Sequence, residues 1–142
     1  MVKRTTTRRI DRAQAPKYAD TGRVFLASAR ALSDVADDDA PYGNAIALLA
    51  IHATISYTDA LSIAYGEKKS ADEHTKAVET LRSILGSLLP ETRAKQLRKV
   101  LLLKDTVSYQ GSYYSLAQGR QLLEVADSYG TWAAALLEQR PA

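Results

Sequence analysis

A chain of 142 residues with 46% hydrophobic and 25% charged side chains has the size and balance of one soluble domain with its own core. It contains no cysteine, which excludes disulfides, thiolate nucleophiles and Cys-ligated metals. The formal charge of +3 is concentrated at one end. Residues 1–17 hold six basic side chains against Asp11 alone, which leaves residues 18–142 net −2 and without the charge of a nucleic-acid surface.

That basic stretch, residues 1–16, reads as a solvated, disordered tail, and residues 17–140 as a single domain. Its polar start lacks the apolar core of a secretory signal, so a cytoplasmic protein is expected. Ala15-Pro16 leads into a first helix over about Tyr18 to Val35, in which Phe25, Ala29 and Leu32 recur at helical spacing. Asp34, Asp37, Asp38 and Asp39 oppose the helix dipole and help to end it.

A second helix is predicted from Pro41 to Tyr65, about 36 Å long at 1.5 Å per residue. Pro41 suits its first turn and Gly66 the position past its end. Ile46, Leu48, Leu49, Ile51, Ile55, Leu61 and Ile63 make it apolar on nearly every side, the character of a helix central to a bundle or shared between subunits. Its apolar run Ile46–Ile55 is too short to span a bilayer, and no membrane is expected.

The third helix follows a capping-box pattern, Ser70-x-x-Glu73, buries Val78, Leu81 and Leu85, and closes at Gly86. The fourth opens at Pro90-Glu91-Thr92 and carries Ala94, Leu97, Val100, Leu101 and Leu103. Arg93, Lys95, Arg98 and Lys99 lie on its outer side, and the helix runs to Tyr109-Gln110-Gly111. The fifth follows Ser115-x-x-Gln118, a second capping box, and buries Leu122, Val125, Ala126, Tyr129, Trp132 and Leu136. No segment alternates with period two, so no strand is expected. The fold class is all-α, an antiparallel bundle of about five helices.

His52, Ser56 and Asp59 form the only polar stripe on the second helix, at i, i+4 and i+7. A Ser-His-Asp triad is excluded by their order. Ser56 lies between His52 and Asp59, so the acid cannot orient the imidazole, and helical amides cannot supply an oxyanion hole. The stripe reads instead as a polar seam lining a cleft or crossing a helix interface. Neither Glu-x-x-His nor His-x-x-x-His occurs, so no metal or cofactor is called for. Lys104, five residues before the phenol of Tyr109, forms a cation and hydroxyl pair suited to a phosphate or a partner's carboxylate.

The run from Ile51-His52-Ala53 through Tyr57 and Tyr65-Gly66 to Ser70-Ala71-Asp72-Glu73-His74 resembles the HEPN superfamily of small helical nucleotide- and RNA-linked domains. So does the leucine-rich helix ending in Lys104-Asp105-Thr106-Val107-Ser108-Tyr109, and the resemblance extends over about Pro41 to Leu137. It implies a four-helix up-and-down core and a homodimer, with a nucleotidyltransferase-like or antitoxin protein as a further partner and a nucleotide or RNA as ligand. Ribonuclease members carry an Arg followed four to six residues on by His, and the matching positions here are Lys104 and Tyr109. Lys lacks the planar grip of Arg, and a phenol with a pKa near 10 is a poor base at neutral pH. The expected function is a non-catalytic interaction module that binds a protein partner, or a nucleotide in an interhelical cleft. His52, Tyr57, Lys104 and Tyr109 are its candidate contacts. The alternative is a divergent metal-independent ribonuclease using Lys104 and Tyr109, with His52 as proton carrier.

Overall fold

A computed structural model of the chain describes residues 7–37, 41–70, 76–108 and 113–139. Among the described residues, five α-helices carry the fold: α1 (Ala15–Val35), α2 (Tyr42–Gly66), α3 (Ala77–Leu85), α4 (Glu91–Ser108) and α5 (Leu116–Gln139). Two short strands, β1 (Thr7–Arg9) and β2 (Lys68–Ser70), form an antiparallel pair. The all-α bundle read from the sequence is the architecture observed.

The centre is α2, which packs most extensively on α1 and α5 and more lightly on α3 and α4. Ile46, Ile51, Leu61 and Ile63 are fully buried, as its all-round apolar character requires. By length and composition α2 could cross a membrane, yet 67% of its most apolar window is buried inside the bundle. Thr54 and Thr58 satisfy their hydroxyls on the helix itself, donating to the carbonyls of Ala50 (3.0 Å) and Thr54 (2.9 Å). Thr58 also shares a 2.6 Å hydrogen bond with the fully buried Tyr129 hydroxyl of α5, an exchange that removes two polar groups from water together.

Glycines set how closely the helices approach. A Cβ on Gly119 would lie 2.6 Å from the Gly43 carbonyl oxygen, so the first turns of α2 and α5 meet backbone to backbone. The ring of Tyr57 fits between Gly22 of α1 and Gly130 of α5, where added Cβ atoms would come within 2.8 and 3.0 Å of it. The capping box at the start of α5 is realised in both directions. The Gln118 amide donates to Ser115 Oγ (3.1 Å), and the Ser115 amide donates to Gln118 Oε1 (2.9 Å).

Three sequence expectations are corrected. The basic segment is docked from Thr7 onward: Thr7 pairs with Ser70, Arg8 with Lys69 and Arg9 with Lys68. Strands of three residues are too short for period-two alternation to be recognised. The driving contact is at the C-terminus of α2, where Arg12 Nε donates to the Ala64 carbonyl (2.8 Å) and its guanidinium lies 3.3 Å from Glu67. Helix ends leave carbonyls that a cation satisfies well.

The second correction is at that same helix end. Gly66 is the last helical residue, packed against Ile84, and Glu67 takes the left-handed cap at φ 52°. Arg12 and the Ile10 amide hold it there, the amide donating to the Glu67 carbonyl at 2.9 Å. Third, Ser70 belongs to β2 and α3 starts at Ala77, so Ser70 does not cap that helix. The other residues of that motif, Asp72, Glu73 and His74, lie outside the described residues, as do Asp38, Asp39 and Tyr109.

Candidate functional site

Along α2, Asn44, Ala45, Leu48, Leu49, His52, Ile55, Ser56 and Asp59 are the residues between its two ends that the bundle leaves partly or wholly uncovered. They repeat every three or four positions and so share one face. Helices α1 and α4 flank that face without packing extensively on each other. The result is a groove with the central helix as its floor.

His52 sits in the middle of this floor. From α1, the ring of Phe25 approaches the imidazole at 5.8 Å between centroids, tilted by 40°. From the other side comes Lys104 of α4. Burial lowers the His52 pKa from its ordinary value, and the nearby Lys104 ammonium lowers it further. The imidazole is therefore neutral at pH 7, with one ring nitrogen donating and the other accepting.

Toward the N-terminus of α2 the groove widens to about 530 Å³, lined by Pro41, Asn44, Ala45, Leu48, His52, Val107 and Ser108. Leu48 is 36% exposed there. Asn44 Oδ1 accepts from the Tyr114 amide at 2.9 Å and fixes the segment entering α5 against this end of α2.

Asp59 closes the other end of the polar stripe and has a different partner. Its carboxylate lies 3.6 Å from Lys69 Nζ on β2, with side-chain exposures of 16% and 22%. The Lys69 ammonium also lies 5.1 Å over the ring of Tyr18. Burial pushes the Asp59 pKa up to about 6 against the opposing pull of Lys69. A small enclosed cavity beside the pair is lined by Thr58, Asp59, Lys69 and Ser70 among apolar neighbours, and the buried Ser70 hydroxyl has no hydrogen-bond partner among the described residues. The predicted seam is one face of α2 with two chemical ends, His52 toward α4 and Asp59 toward β2.

The four candidate residues are not gathered at one place. His52 and Lys104 are brought together across α2 and α4. Tyr57, five residues beyond His52, points round the helix into the α1–α5 seam. Tyr109 lies outside the described residues. Sequence reasoning missed Phe25 as a wall of the groove, having assigned it to the core stripe of α1. It also missed Lys69, whose position depends on a strand pair with no periodic signature. Among the described residues, no three His, Asp or Glu side chains converge as metal ligands.

No family model matches the chain, and no curated protein or solved structure matches it.

Proposed function

We propose that this protein is a HEPN-like interaction module, acting without catalysis, that pairs as a homodimer through the open face of α2. The observation that carries the reading is the uncovered stripe on an otherwise buried central helix. An apolar helix in water is normally covered on all sides, and here one face carrying Leu48, Ile55 and a neutral His52 is left between α1 and α4. A second copy offers the same apolar stripe, and a two-fold arrangement lets one patch serve both partners. Another face of α2 is covered within the chain by α5. The same groove is where a nucleotidyltransferase-like or antitoxin partner would dock, with Lys104 meeting a carboxylate at its edge.

Light scattering on the purified protein tests this. The expected particle is twice the 15.5 kDa chain mass. Leu48→Glu weakens the dimer at least tenfold, about 1.4 kcal/mol, by placing a charge in an apolar contact. Leu88→Glu, at an exposed leucine in the turn between α3 and α4, leaves the dimer intact. A wild-type monomer across the micromolar range, or a dimer indifferent to Leu48→Glu, overturns the reading.

One observation favours the ribonuclease reading as a second candidate. A neutral imidazole beside a lysine ammonium is a base next to a phosphate-binding cation, so His52 and Lys104 can share work first assigned to Lys104 and Tyr109. RNA cleavage abolished by both Lys104→Ala and His52→Ala, at unchanged helicity, would replace the non-catalytic reading.

A further inference from the structure

On the side of α2 away from His52, a cleft of about 520 Å³ opens where α1, α2 and α5 meet. Its lining is mostly apolar and unusually small in side chain: Ala15, Pro16 and Ala19 from α1, Ala64 from α2, and Ala134 with Leu137 from α5. Alanines at a three-helix junction ordinarily let the backbones close up. Here they leave a smooth slot open to the surface.

Tyr57 lines this slot. The residue is 6% exposed, its ring is fixed between Gly22 and Gly130, and its hydroxyl has no hydrogen-bond partner among the described residues. Unlike the Tyr129 hydroxyl, which is buried against Thr58, the Tyr57 hydroxyl reaches solvent at the slot. Burial raises the Tyr57 pKa, so the hydroxyl remains a donor throughout the neutral range.

The rim carries both signs of charge: its two cations are already matched, while the Glu138 carboxylate is exposed at the edge. Arg12 is bound to the Ala64 carbonyl and Glu67, and Arg23 lies 3.4 Å from Asp20. An anionic ligand would find no uncommitted cation among these pairs and would meet the Glu138 carboxylate. An uncharged one would meet an apolar floor and the Tyr57 hydroxyl.

We infer that the α1–α2–α5 cleft is a binding site for an uncharged, largely apolar small molecule bearing one hydrogen-bond acceptor, which the Tyr57 hydroxyl receives. The site is separate from the α1–α4 groove and independent of its function. Apolar pockets with few placed polar groups are the common form of small-molecule sites.

The test uses two probes on the ¹⁵N-labelled full chain: acetophenone, with a ring and one carbonyl acceptor, and toluene, with a ring alone. Both are expected to shift the amides of Ala19, Ala64 and Ala134 saturably, acetophenone at the lower concentration. Tyr57→Phe should weaken acetophenone about fivefold, the effect of one lost hydrogen bond, and leave toluene unchanged. Ala134→Leu, at a half-buried position, should fill the slot and remove both responses, and Ala19→Leu provides the same block from α1. Absence of saturable shifts, shifts that survive either leucine, or an acetophenone affinity unmoved by Tyr57→Phe would overturn the inference.

Discussion

Gly43→Ala is expected to lower the unfolding free energy by about 3 kcal/mol, the upper part of the range for overpacking a tight site. The added Cβ would fall far inside contact distance of the carbonyl oxygens of Tyr114 and Ser115. These are backbone atoms, so no side-chain rotation relieves the clash. Nor can the segment easily retreat. The Tyr114 amide is held by Asn44, Ser115 is engaged in its capping box with Gln118, and Gly119 lies against Gly43 itself.

The α2 and α5 helices must therefore part at their first turns, costing packing along one of the two most extensive contacts of the bundle. Gly86→Ala provides the contrast. Nothing lies within 4 Å of an added Cβ, but its φ of +54° with ψ of −124° is a backbone region that disfavours any side chain, so a smaller loss of about 2 kcal/mol is expected. Urea unfolding of the two variants beside wild type measures the difference. A Gly43→Ala loss no larger than that of Gly86→Ala would mean that the helix starts separate freely.

Asp59→Asn is expected to stabilise the fold at pH 7.5 and to flatten its pH dependence between 4 and 7. The carboxyl titrates near 6 when folded, against 3.8 for its ordinary value, so the folded state holds the proton more tightly. Such a group contributes stability that is full below the unfolded pKa and is lost as pH rises through about 6. The gap corresponds to at most about 3 kcal/mol at 1.4 kcal/mol per pH unit.

Asparagine keeps the shape of the protonated acid without the buried charge. Lys69, on a long flexible stem, can carry its ammonium to water once the carboxylate is gone. His52 works in the opposite sense. Its lowered pKa means that the folded state resists protonation, so its contribution is lost as pH falls. The difference between wild type and Asp59→Asn at each pH isolates the carboxyl. Parallel curves with the variant weaker throughout would show that the Lys69 pair outweighs desolvation.

Much of the bundle was legible because helices write themselves into sequence locally. The stripe of Leu122, Val125, Ala126 and Tyr129 on α5, and the Ser115–Gln118 box before it, need only neighbouring residues to be recognised. The strand pair joins Thr7 to Ser70 across two helices, and three residues on each side carry no pattern. The polar stripe of α2 was readable as a stripe, since i, i+4 and i+7 must share a face. Its partners were not, because Lys69 reaches Asp59 from a strand and Lys104 approaches His52 from another helix. Tyr57 was named as a candidate, yet its slot depends on glycines 35 residues before it and 73 after it.

The β1–β2 ribbon has two outer edges on which a further strand could add. Four of its six residues are Arg8, Arg9, Lys68 and Lys69, and the register sets Arg8 opposite Lys69 and Arg9 opposite Lys68. Like charges facing one another weaken a strand pair, so the ribbon depends on the acid beside it, Glu67 near Arg9 and Arg12. That arrangement also guards against aggregation. A second copy of the ribbon would bring cations against cations, so edge-to-edge pairing between copies is disfavoured.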